Sequence, residues 1–242
     1  DVLDEIGRDV ILRPDISTCR LVPWYDEPTA QIIHDAVHQD GADVTFSSRT
    51  VLKSVLALFD EAGLEPVIAP ELEFFLVKQS SDANAPLITP PGRSGRAEKA
   101  RQAYGIDAVN EFDPLFEEIY DHCDVQGLDI DTLSHEAGAA QMEINFNHGH
   151  ALDLADQAFL FKRTVRQAAI NHHLHATFMA KPIQEQPGSA MHVHVSVKSK
   201  ESGKNIFSND DGSESDDFYH SIAGMQRYLS GAMALMAPYV NS

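Results

Sequence analysis

The stretch PVIAPELEFFLV, residues 66–77, decides how the rest of the chain is read. Its apolar and aromatic residues mark a strand central to a sheet. Side chains two apart in a strand point to one face. Glu71 and Glu73 therefore share a face, while Leu72, Phe74 and Leu76 fill the other. Two carboxylates inside an apolar strand are costly unless a cation neutralises them, and a hard divalent cation with oxygen ligands is the natural partner. An edge strand with a solvated polar face would carry the same pattern.

Two more segments extend the motif. In MHVHVSV, residues 191–197, alternation puts His192 and His194 on one face and Val193, Val195 and Val197 on the other, with Ser196 continuing the polar face. A pair of exposed or satisfied histidines reads the same way, but the preceding loop QEQPGSA (184–190) is small and glycine-bearing, so backbone can approach a ligand closely. In SHEAGAAQMEINF, residues 134–146, Glu136 and Glu143 are seven apart, on opposite faces of an ideal strand. The Gly138-Ala139-Ala140 break can absorb a residue as a bulge or turn and realign them. Four carboxylates and an imidazole suit Mg²⁺ or Mn²⁺ better than zinc. Neither GxxxxGK[ST] nor GxGxxG occurs, so any nucleotide would be held through metal-bridged phosphates.

The remainder sets the frame. With 242 residues, 43% hydrophobic, the chain has enough for one large domain and a small second piece. Its 18 basic and 37 acidic residues give a net charge of -19, which repels phosphate backbones and argues against nucleic acid as a partner. No apolar stretch is long enough to span a bilayer, and the first residues lack a signal-peptide pattern. Cys19 and Cys123 form no CxxC, which fits a reducing, cytoplasmic setting.

Periodicity predicts a strand over 9–13, a turn at Pro14-Asp15, and extended structure over 20–36. A helix over 51–63 would be capped by Thr50, stopped by Gly63, and apolar along Val51, Val55, Leu56, Leu58 and Phe59. A long polar loop over 79–112 precedes a helix over 113–126, capped by Asp113 with Pro114 in its first turn. Further helices are predicted over 151–176 and from Asp216 to near Pro238, with ATFMAKP (176–182) as another strand. The mixture predicts an α+β fold, a mainly antiparallel sheet flanked by helices.

KPIQEQPGSAMHVHVS (181–196) resembles the ATP-region signature of the glutamine synthetase family. APELEFFLV (69–77) resembles that family's first metal-binding strand, and SHEAGAAQMEINF the segment bearing its next two metal glutamates. RPDIST (13–18) and the region after it resemble the tail of its small N-terminal β-grasp domain. The resemblance implies a β-grasp remnant over 1–45 and a catalytic domain over 46–242. It implies that Glu73, Glu136 and Glu143 hold one metal, and that Glu71 and His192 hold another. His194 would contact the ATP phosphates, Ser196 the adenosine region, and Asp131 the nucleotide side. Gly188 would contribute backbone to the glutamate site, and Tyr104 would lie near the entering amine.

The implied activity is an ATP-dependent carbon–nitrogen ligation that joins an amine to the glutamate γ-carboxylate through a γ-glutamyl phosphate. Pro187 stands where many members carry Asn, although other members have Pro there. The family's C-terminal arginines, last metal glutamate and lid glutamate would lie beyond Ser242, and part of the β-grasp domain before Asp1. Homo-oligomeric rings, dodecameric in full-length relatives, are implied as well. NEFDPLFEEIYDHC (110–123) and EAGAAQMEINF (136–146) resemble the γ-glutamylpolyamine branch, with putrescine as acceptor. An ammonia-using synthetase is the alternative. A non-catalytic relative predicts lost metal ligands, yet all five that could fall in the chain are present. A metal hydrolase predicts turnover without ATP, against the 181–196 signature.

Overall fold

A computed structural model describes residues 9–82, 84–99 and 101–236. Near the N-terminus, β1 (Ile11–Pro14), β2 (Arg20–Leu21), β3 (Ala30–Gln31) and β4 (His34–Val37) form two small antiparallel sheets, β1 with β4 and β2 with β3. Helix α1 (Ser48–Glu61) follows, with extended Ser47 in the cap position. The cap expected at Thr50 is corrected: Thr50 is buried in the first turn. This start puts Arg49 in the first turn, where its guanidinium meets Asp15 at 2.7 Å, Asp35 at 2.6 Å and Asp156 at 2.9 Å. These ion pairs tie the N-terminal segment to the helices behind it. The apolar stripe on α1 is only partly used, since Val51, Val55 and Leu58 stay exposed. Gly63, at φ +69°, ends the helix as predicted and turns the chain into the sheet.

The sheet is organised around β5 (Leu64–Lys78), a run of 15 residues. The segment expected to be a long loop also holds a short helix, α2 (Ile106–Asn110). Next, α3 (Asp113–Gln126) has Phe112 at its N-cap, so Asp113 is its first residue and not its cap. Gly127, at φ +63°, closes it. Strands β6 (Ile130–His135), β7 (Gln141–Phe146) and β8 (Gly149–His150) lead into α4 (Ala151–Asn171), then β9 (Leu174–Thr177), β10 (Met191–Ser199) and α5 (Asp216–Met236). The helix predicted over 151–176 is thus five residues too long at its end. His173 turns at φ +58°, and 174–177 pair with β5 instead. The strand expected over 176–182 shifts back for the same reason: the last four residues of β5 offer an open edge there. The end expected near Pro238 lies outside the described residues.

All pairings in the sheet are antiparallel, in the order β10-β5-β7-β6. Phe75 faces Gln141 of β7 and Thr177 of β9, so these strands flank β5 on opposite edges. On one face, Leu72, Phe74, Leu76, Met142 and Ile144 pack against α3 and α4 through Leu115, Ile119, Phe161 and Val165, all but solvent-free. Burying each such side chain contributes roughly 1.5–3 kcal/mol. Phe74 and Phe161 both contact Phe178, with ring centroids 5.2 and 6.5 Å apart. The opposite face of this sheet carries Glu71, Glu73, Glu143 and His192. Among the described residues no helix is long and apolar enough to cross a membrane.

Candidate active site

Strand register places the predicted residues. Glu73 lies opposite Glu143, and Glu71 opposite His192. Directly opposed residues in an antiparallel pair share a face, so all four side chains project from the face opposite Leu72 and Phe74. Ligand atoms of Glu71, Glu143 and His192 lie within 4.8 Å of one another. His192 Nδ1 is 3.3 Å from Glu71 Oε2 and 4.0 Å from Glu73 Oε1. His194 Nε2 is 2.7 Å from Glu71 Oε1.

Glu136 joins this face through a hairpin. Ser134 lies opposite Glu143, and the Glu136 N–H donates to the Gln141 carbonyl at 2.8 Å. Glu136 is two residues beyond Ser134 and so falls on the Glu143 side. Of the two routes read from the Gly-Ala-Ala break, the turn realigns the pair. The register irregularity of β6 lies elsewhere, between Ile130 and Leu133.

The electrostatics are those of crowded carboxylates. Glu73 is 7% exposed, and its pKa is raised by burial and by the charges of Glu136 and Glu71. Burial, with Glu71, Glu136 and Glu73 nearby, lifts Glu143 to about 7, although a hydrogen bond from Asn145 opposes the shift. Among the described residues no Lys or Arg forms an ion pair with Glu71, Glu73 or Glu143. Gln141 Nε2 holds Glu73 Oε2 at 2.9 Å and also donates to the Gly188 carbonyl at 2.9 Å. Asn145 Oδ1 is buried with no hydrogen-bond partner among the described residues. Carboxylates short of counter-charge, an imidazole and an orphaned carbonyl oxygen fit a hard divalent cation such as Mg²⁺ or Mn²⁺.

The other predicted residues are more scattered. Gly188 packs so tightly that an added Cβ would lie 2.8 Å from the Ala180 carbonyl oxygen, so close backbone approach requires glycine there. Tyr104 is 78% exposed, sits at φ +60°, and donates its N–H to the His135 carbonyl at 2.8 Å. Ser196 lies on β10 opposite Val67. Exposed Asp131 is on β6, and its carbonyl accepts from Tyr120 Oη at 3.2 Å. Asp131 and Ser196 thus stand on the two outer strands, with β5 and β7 between them, and Asp131 is no part of the carboxylate cluster.

Gln141, Asn145, His135 and Glu98 were not singled out from the sequence. Gln141 and Asn145 flank Glu143 at two residues on either side, so strand alternation could have found them. His135, fully buried, has Nε2 2.9 Å from Glu98 Oε2. Burial disfavours its charge, but the hydrogen bond and charge of Glu98 outweigh this and raise its pKa.

A helix-flanked antiparallel sheet with metal-ligand chemistry on its open face defines a class, and comparison with known proteins places the chain within it. The chain belongs to the glutamine synthetase family: residues 45–242 match the model of the glutamine synthetase catalytic domain. It is 37% identical to gamma-glutamylputrescine synthetase PuuA of Escherichia coli (strain K12), covering 100% of this chain and 53% of that protein. A glutamine synthetase of Halobacterium salinarum is 35% identical, covering 97% and 51%. A glutamate–isopropylamine ligase of a Pseudomonas species is 32% identical, covering 97% and 50%. The chain spans about half the length of the curated relatives it matches. Among solved structures, a GmaS/ADP complex superimposes with TM-score 0.80 at 28% identity, covering 95% of this chain and 51% of that one. A Plasmodium falciparum glutamine synthetase shares the fold, with TM-score 0.82 at 22% identity, covering 93% and 48%.

Proposed function

We propose that the full-length protein is an ATP- and Mg²⁺- or Mn²⁺-dependent ligase that forms a γ-glutamyl amide from glutamate and an amine, with a polyamine such as putrescine as acceptor. The convergence of Glu71, Glu143 and His192 beside Glu73 carries the reading. Glu73, Glu136 and Glu143 would hold one cation, and Glu71 and His192 a second. Cations held there would supply positive charge against a γ-phosphoryl in transfer to the glutamate carboxylate. His194, on the same face, would contact the ATP phosphates, and Glu71 orients it by the 2.7 Å hydrogen bond. Gln141 fixes the rotamer of Glu73 and, through the Gly188 carbonyl, the loop before β10. Ser196 lies further along that strand, toward the adenosine, and Asp131 on the nucleotide side. Tyr104, exposed in its loop, is available to the entering amine.

The 37% identity to a γ-glutamylputrescine synthetase supports the polyamine acceptor, and the 35% identity to a glutamine synthetase keeps ammonia as the second reading. We read 1–45 as the end of a small N-terminal β-grasp domain. Exposed Leu12, Ile16, Val51 and Leu58 support a homo-oligomeric assembly that covers them. Unpaired Cys19 and Cys123 support a cytoplasmic location. The test is phosphate release from ATP by the full-length protein with Mg²⁺, glutamate and a panel of amines. Release that depends on glutamate, and is fastest with putrescine, is expected. Release indifferent to glutamate ends the ligase reading, and a preference for ammonia moves the protein to the other branch.

A further inference from the structure

We infer that Glu98 and His135 are positioning residues for Glu136: they lock the turn that carries it to the loop that carries Tyr104. The inference rests on the ligase reading and adds residues it does not use. Glu98 comes from the long polar segment before α2, yet its side chain is 8% exposed, and His135 is fully buried. Glu98 Oε2 accepts the Ala140 N–H at 2.7 Å and lies 2.9 Å from His135 Nε2, with Oε1 at 3.1 Å. On its other side, His135 Nδ1 is 2.6 Å from the Glu136 carbonyl oxygen. The Glu136 N–H is already taken by the Gln141 carbonyl. The backbone of Glu136 is therefore held on both sides, in the hairpin that sets it on the Glu143 side of the sheet.

Backbone strain marks the same network. Ala140 sits at φ +55° and Tyr104 at φ +60°, left-handed conformations that L residues adopt only under strain. Such strain persists where surrounding contacts over-determine the chain, and it clusters at functional sites. Both residues are bound into the Glu98–His135 pair, Ala140 through its N–H to Glu98 and Tyr104 through its N–H to the His135 carbonyl. One buried carboxylate thus couples the turn carrying Glu136 to the loop carrying Tyr104. A role in folding alone predicts lower stability with unchanged kinetics in the protein that does fold.

The test uses the full-length protein with Glu98→Ala, Glu98→Gln and, as a second truncation, Glu98→Asp. Mn²⁺ affinity is measured by calorimetry, and kcat and KM are measured with saturating ATP and glutamate. Gln keeps an acceptor for the Ala140 N–H and offers an N–H to His135 Nε2, so it is expected within about threefold of wild type on both readouts. Ala removes both contacts and is expected to lower Mn²⁺ affinity and kcat by about tenfold or more, the range for groups that orient ligands. Asp, one methylene shorter, reaches one partner and is expected between the two. A folded Ala or Asp variant with wild-type Mn²⁺ affinity and kcat overturns the proposal, as does a Gln variant as damaged as Ala. If neither Ala nor Asp gives a cooperative thermal transition, the pair is a folding element and the proposal fails. Wild-type protein without glutamate-dependent phosphate release would sink the ligase reading instead, while the Mn²⁺ measurements would still judge the clamp.

Discussion

The two ends of the carboxylate face differ in how they carry charge. At the β5–β7 end, Glu73 is buried and Glu143 partly buried where they oppose each other, and both are shifted toward the protonated form. At the β5–β10 end, Glu71 meets His192 and His194, whose side chains are 60% and 66% exposed. One end crowds carboxylates together away from solvent, and the other sets a carboxylate against two solvent-exposed imidazoles. The difference shows that burial and crowding, more than strand register, set which carboxylates resist ionisation: Glu73 and Glu143 are raised where they sit together away from solvent.

Removing a carboxylate from the interior end should have the largest effect. Glu136→Ala in the full-length protein is expected to cut glutamate-dependent phosphate release by about 100-fold or more, the loss seen when preorganised charge is removed from a reacting centre. Full activity in that variant would remove Glu136 from the site. The apolar side of the same strand breaks differently. Phe74→Ala, emptying a fully buried position, should cost about 3–5 kcal/mol in urea unfolding. A cost below about 1 kcal/mol would contradict that tight packing.

Titration sharpens the contrast. Glu143 holds its proton up to about 7 in the folded metal-free chain, against an ordinary value of 4.5. Between these values the folded state binds a proton that the unfolded state has lost, so this group's contribution makes stability fall as pH rises through the window. Glu143→Gln should flatten that slope in metal-free unfolding curves. A cation must displace the proton, so Mn²⁺ affinity should rise with pH up to about 7, with about one proton released per ion at the acid end. Calorimetry in two buffers of different ionisation enthalpy reads that proton, and release independent of pH would refute the assignment.

At the outer end, His194→Ala should raise KM for ATP about tenfold, the value of one charge-assisted hydrogen bond. The same variant should leave stability within about 1 kcal/mol, as for an exposed ion pair. A stability loss without a KM change would reduce His194 to a structural partner of Glu71. The smallest effect belongs behind it. Val195 is 53% exposed and lines an apolar cavity of about 680 Å³ with Phe207, Phe218 and Met225. Val195→Ser should shift unfolding by no more than about 0.5 kcal/mol if that face is open. A loss of about 2 kcal/mol or more would show that it is covered in the full-length protein.

Strand alternation made the shared faces of Glu71 with Glu73 and of His192 with His194 legible, because period-two geometry is local and survives any tertiary arrangement. It also held Gln141 and Asn145, unused. The pair Glu136 and Glu143 was legible only as two options, since a bulge and a turn leave the same trace in composition. Glu98 left none: nothing local marks a carboxylate in a polar loop as one that folds inward to a histidine 37 residues away. Helix ends failed for a related reason. Thr50 is a good cap by type, but Arg49 drew the helix start toward three aspartates distant in sequence.

By itself the sequence determined which residues could share a face, the α+β alternation of elements, and the chemistry of the donor set, because these follow from side-chain type and short-range backbone geometry. Only the tertiary structure decided that β10 and β7 both pair with β5, which brings Glu143 and His192 within reach of Glu71. Register between strands is a long-range property, set by burial of Leu72, Phe74, Met142 and Ile144 on the far side of the sheet. The apolar face chooses the alignment, and the polar face inherits its site from that choice.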